Sequence, residues 1–175
     1  MTLKSLSALG LAILLCACDH ERRFRMPTGA MVPTVKENGY VVANTSVLRP
    51  GDIGRWDMVV YRSPDSVKVY GKKAEDLPLY VARIIGLPGE TVEFAGQEIM
   101  VNGKSLQQLD GQLGITYAGL APFPPGTRKL GGPAELKLGE SEYFYLGDRT
   151  ATAIDSRFLG PLPLEKVVGK VVRVE

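Results

Sequence analysis

The sequence predicts an all-β domain, built mainly from antiparallel sheets and preceded by one short apolar N-terminal helix. Three observations carry that expectation. Short β-branched or aromatic runs recur along the chain, each closed by Gly, Pro, Asn or Asp. Beyond the apolar leader, no segment keeps a 3.6-residue apolar period over about 11 residues. One Asn-Gly pair, Asn102-Gly103, stands between two such runs, as a two-residue hairpin requires.

In chain order, strands are expected at Tyr40–Asn44, 57–61, 79–85 and 91–94. Residues 94–98 read as a loose reversal leading into the hairpin of 99–101 and 104–106, where Asn102 and Gly103 both tolerate the positive φ of a type I′ turn. Residues 109–138 hold Pro122, Pro124, Pro125, Gly126, Gly131, Gly132 and Pro133. That stretch reads as an extended insertion lying on a sheet edge. Strands at 143–146 and Val167–Val174 complete the set. No internal repeat and no dividing linker is visible, so residues 27–175 are expected to form a single β domain.

The leader is a different material. Lys4 precedes an apolar stretch from Leu6 to Cys18, and the polar cluster Asp19-His20-Glu21-Arg22-Arg23 follows. This is the form of a secretory signal. The 13-residue run falls short of the roughly 20 apolar residues that a membrane-spanning helix needs, which makes an uncleaved anchor the weaker reading. Its end, Leu15-Cys16-Ala17-Cys18, resembles a bacterial lipoprotein box, although Cys16 stands where a small residue is usual. A plain signal peptide or a buried pair of thiols is the alternative.

On the lipoprotein reading, residues 1–17 are removed and Cys18 is acylated. Residues 18–26 then form a membrane-proximal tether, and the mature chain has no internal disulfide. Each buried acyl methylene contributes about 0.8 kcal/mol to anchoring. Asp19 resembles the signal that retains such proteins at the inner membrane, so the expected place is the periplasmic face of that membrane in a bacterial envelope. Eight residues separate Cys18 from Pro27, a reach of at most about 30 Å. The segment that follows works beside the bilayer.

Composition narrows the function classes. The 21 basic and 19 acidic residues give a net charge of +2 with no long basic run, so nucleic acid is not an expected partner. His20 is the only histidine, and no His or Cys pair stands at ligand spacing in the mature domain. No metal or other cofactor is expected.

Four stretches carry chemistry. They are "MPTGAMVPT" at 26–34, "YVARIIGLPGE" at 80–90, "LGDRTATAIDSRFLGPLP" at 146–163 and, more loosely, "PGDIGRWDMVVYRSP" at 50–64. Each alone is weak, since Pro-Gly turns are common. Together, in this order and spacing, they resemble the boxes of bacterial type I signal peptidases of the serine-lysine dyad type.

The resemblance implies a serine nucleophile at the position of Ala30, a lysine base at Ala82 and a serine that orients the lysine at Ala153. Such a dyad needs a hydroxyl within hydrogen-bond reach of an amine made neutral by burial. Alanine supplies neither. Other matched positions are kept. Thr28 and the backbone N–H of residue 30 correspond to an oxyanion hole. Gly29, Met31 and Pro33 belong to the peptide-binding end, and Asp155 with Arg157 to a structural clamp.

The expectation is therefore a pseudoprotease. It would bind an extended polypeptide, a signal-peptide-bearing precursor or an active signal peptidase without cutting, through edge-strand bonds and shallow pockets for small side chains. One alternative is an active peptidase with a relocated nucleophile and base. Thr28 would then need an amine, yet Lys36, Lys72 and Lys73 read as solvated charges, Arg83 is too basic to accept a proton, and His20 reads as a spacer in the tether. The other alternative is a structural component of a secretion or pilus-related assembly.

Overall fold

The computed structural model describes residues 20–46, 48–62, 78–95, 98–109, 115, 117 and 135–175. Among them the fold is all-β and antiparallel, as the sequence predicts. The strands are β1 (Glu21–Arg25), β2 (Tyr40–Asn44), β3 (Met58–Arg62), β4 (Leu79–Gly86), β5 (Thr91–Ala95), β6 (Glu98–Val101), β7 (Lys104–Ser105), β8 (Glu135–Lys137), β9 (Glu142–Leu146), β10 (Leu162–Pro163) and β11 (Val167–Val174). One sheet has the order β1-β2-β11-β3-β4-β9-β10 and the other β7-β6-β5-β8. The expected signal helix, Cys18, Asp19, Lys72, Lys73 and most of the insertion lie outside the described residues.

Alternation along the strands sorts the core into layers. Val60 and Val81 point to one face, where Val41, Ala43, Met26, Met31 and Val35 pack with them. Val59, Tyr61, Ala82, Ile84, Tyr143 and Tyr145 form a second layer. Ile85, Phe144 and Leu146 meet Val92, Ile99 and Val101 of the smaller sheet. A Cβ at Gly86 would lie 2.9 Å from both Leu138 and Phe144. Only glycine lets the two sheets approach there.

The Asn102-Gly103 hairpin forms as expected, with φ of 50° and 73°. Its second arm is shorter than the sequence suggests, because Leu106 begins a one-turn helix, α1 (Leu106–Leu109). Ser105 and Gln108 explain the switch: the Gln108 N–H donates to Ser105 Oγ at 3.4 Å and the Ser105 N–H to Gln108 Oε1 at 3.3 Å, a reciprocal capping box. The C-terminal end of the insertion supplies β8, which pairs with β5 at the sheet edge.

A larger difference lies at the N-terminal end. Within the segment read as a tether, Glu21–Arg25 is a strand in full antiparallel register with β2, from Glu21↔Asn44 to Arg25↔Tyr40. Its sequence, ERRFR, gives no apolar alternation. Cross-strand charges and stacking hold it instead: Arg23 lies 3.6 Å from the Tyr40 ring centroid and 2.7 Å from Glu175, and Arg173 reaches Glu21 at 2.6 Å.

Candidate functional site

The "MPTGAMVPT" stretch is a closed loop. Met26 N–H donates to Gly39 O at 2.8 Å and Asn38 N–H to Met26 O at 2.7 Å, so the loop leaves and returns at one point. Inside it Val32 N–H bonds Gly29 O and Val35 N–H bonds Met31 O. Met31 and Val35 are fully buried. Met31 thus supports the loop from the core side, packed with Met26, Val35 and Val41. Thr28 and Pro33 are exposed, and Gly29 and Ala30 half-buried. Among the described residues the Ala30 N–H donates no hydrogen bond.

Ala30 is held against β9 from the far end of the chain. The Arg149 N–H donates to Ala30 O at 2.9 Å. A Cβ built on Gly147 would lie 2.8 Å from that same oxygen and 2.4 Å from the Ala153 methyl. Position 147 must therefore be glycine, and Ala30 and Ala153 meet around it. Ala82 joins from β4. Arg83 pairs with Leu146 and Ile84 with Tyr145, which leaves Ala82 one residue beyond the last β4–β9 pair, on the Gly147 side. The structure thus brings Ala30 and Ala153 together although they are far apart in sequence.

Tyrosines pack in the same layer as Ala82. On the Ala82 face, Tyr61 and Tyr145 lie with ring centroids 4.8 Å apart and Tyr61 and Tyr80 5.7 Å apart. Burial, then Tyr145 and Asp155 beside it, push the Tyr61 hydroxyl far above its ordinary range. Burial does the same for Tyr145 and for Tyr117. Below about pH 10 these groups are protonated both folded and unfolded, so their contribution is intact. Above it the unfolded chain ionises while the fold keeps its protons, and stability falls by about 1.4 kcal/mol per pH unit for each tyrosine. Urea midpoints measured from pH 8 to 11 are expected to drop steeply above 10, and less steeply in Tyr145→Phe.

Behind the alanines sits a buried ion pair. Arg83 in β4 donates Nε to Asp148 Oδ1 at 2.8 Å and an NH2 group to Asp148 Oδ2 at 2.6 Å. Thr34 Oγ1 donates to the same carboxylate, as does Tyr117 Oη at 3.1 Å, and Arg83 also reaches the Trp56 carbonyl. Burial alone would pull the Arg83 pKa down, but the hydrogen bonds and charge of Asp148 raise it. A second pair flanks this one. Arg157 Nε donates to Asp155 Oδ1 at 2.8 Å, the other Asp155 oxygen accepts the Gly147 N–H at 3.1 Å, and Arg157 ties down the Thr150 carbonyl at 2.7 Å. Among the described residues no group of His, Cys, Asp or Glu could hold a metal ion.

The profile of the family described as signal peptidase, peptidase S26, matches residues 1–174. The chain belongs to the signal peptidase family. The signal peptidase I of Leptolyngbya laminosa is 25% identical over 175 residues, covering 97% of this chain and 77% of its own length. A probable signal peptidase I-2 of Synechocystis sp. is 30% identical over 164 residues, 94% of this chain and 66% of its own. The crystal structure of a signal peptidase I from Enterococcus faecalis V583 matches 71% of this chain and 98% of that one, with a TM-score of 0.44 and 26% identity.

In this signal peptidase chain the four motif stretches converge on one ion pair, Arg83 with Asp148: Thr34, Trp56, Arg83 and Asp148 come one from each. Sequence reasoning weighed Arg83 only as a failed base and passed over Asp148, Thr34 and Tyr117. Two signals were available. Asp148 is a charge two residues past the apolar run that ends at Leu146, and Arg83 interrupts the apolar stretch of 79–85; buried charges of opposite sign must find each other. The tyrosine layer gave no such warning, since aromatics in strands are ordinary core. No helix among the described residues is long and apolar enough to cross a membrane.

Proposed function

We propose that this chain holds extended polypeptides without cutting them, with signal-peptide-bearing precursors as the expected clients. The observation that carries the reading is the meeting of Ala30 and Ala153 at Gly147, with Ala82 one residue beyond the last β4–β9 pair on the same side. These occupy the positions of nucleophile, base and base-orienting hydroxyl. Three methyl groups can neither attack a carbonyl nor accept a proton. The means of holding a chain are retained: the Thr28 hydroxyl is exposed and the Ala30 N–H is unused, as an oxyanion or carbonyl site needs. Attachment through acylated Cys18 would set this site at the outer face of the inner membrane. There an active signal peptidase could present or receive the same client.

The test uses the mature domain without its lipid and a labelled precursor with a small residue before the cleavage site. Co-sedimentation should recover the precursor intact. Turnover at the ordinary enzymatic rate of about 1–10³ s⁻¹ would sink the reading, and loss of that turnover in Thr28→Val would identify a relocated nucleophile.

A further inference from the structure

We propose that Tyr145, backed by Tyr61, occupies the space that an amine side chain at position 82 would need, so that the base position is plugged as well as empty. The inference rests on reading Ala82 as that position. It goes beyond the loss of reacting groups, because it assigns two further residues to the closure of the site.

Register and alternation place the residues. Val59 pairs with Ala82 and Tyr61 with Tyr80 across β3 and β4, while Ile84 pairs with Tyr145 across β4 and β9. Residues two apart share a face, so Tyr80, Ala82, Tyr61 and Tyr145 all stand on one side of the sheet. Side chains on neighbouring strands at this spacing are in contact, and Ala82 belongs to the same buried cluster as Tyr61 and Tyr145. The rings run inward without a break. Tyr80 is 36% exposed, Tyr61 2% and Tyr145 0%. Ala82 is the smallest member of a layer of large side chains, and protein interiors leave no room for an added chain in such a layer.

The two rings are coupled as well as adjacent: Tyr145 is fully buried with its ring centroid 4.8 Å from that of Tyr61, and each hydroxyl acts on the other. Asp155, which accepts the Gly147 N–H, acts electrostatically on both tyrosine hydroxyls.

The experiment is a double-mutant cycle on thermal stability in the full mature domain. Ala82→Met supplies the length of the missing side chain without its charge, and Ala82→Lys supplies both. In the native background Ala82→Met is expected to lower Tm by about 5 °C or more, through crowding. In a Tyr145→Ala background the same change should cost less than half as much, because the added chain enters the vacated space; Ala82→Lys should show the same direction. An Ala82→Met loss that is equal in the two backgrounds, or absent from the native one, would overturn the proposal. Cleavage by the native chain would instead remove the non-cutting reading and leave this measurement unchanged.

Discussion

Asp148→Ala is expected to destabilise the domain by about 3–5 kcal/mol, the usual cost of breaking a buried ion pair from one side. Arg83 is 4% exposed, and without the carboxylate its charge is left to neutral partners such as the Trp56 carbonyl and the Thr34 hydroxyl. Thr34 and Tyr117 lose their acceptor in the same step. In urea this reads as a midpoint lower by roughly 2 M. Replacing both charges, Arg83→Met with Asp148→Leu, should cost far less, since an apolar pair of similar volume avoids the desolvation of either ion. If Asp148→Ala unfolds within about 1 kcal/mol of the native chain, the Arg83–Asp148 pair is not what joins the four motif stretches.

The second large effect is a gain. Ala30→Ser, Ala82→Lys and Ala153→Ser introduced together with Tyr145→Ala should raise precursor cleavage by ~10²–10⁴ over the native chain, the range that a positioned general base contributes. Each single change should leave it at the native level, because members of a catalytic unit act jointly. The same three restorations without Tyr145→Ala should remain near background. The gain should follow pH with a definite sign. Burial lowers the pKa of the amine introduced at position 82, the neutral amine is the base, and activity should rise with pH and level off above that lowered pKa. Single-turnover cleavage from pH 5 to 9 measures it, and an activity that falls across this range would exclude the amine as base.

Much of the fold was legible because the strands obey local rules. Tyr40–Asn44 and Val167–Val174 are found where β-branched density places them, and Asn102-Gly103 turns because both residues accept positive φ. β1 was not legible. Glu21–Arg25 has charges where a strand usually alternates, and it is ordered by partners as distant as Arg173 and Glu175. The inward direction of Met31 was not legible for a related reason: position in a motif does not say which way a side chain points, and Met31 is fully buried in a loop closed at Met26, Asn38 and Gly39.

From residue types alone the chain determined its class, its hairpin and the absence of a hydroxyl or amine at Ala30, Ala82 and Ala153, because propensity, turn chemistry and side-chain composition are local properties. The tertiary structure decided that Ala30 and Ala153 meet at Gly147, that Arg83 and Asp148 pair in the interior, and that Ala82 shares one buried cluster with Tyr61 and Tyr145. Each of those facts is a juxtaposition of distant strands. Only sheet register and close packing, which act between segments and not within them, can specify it.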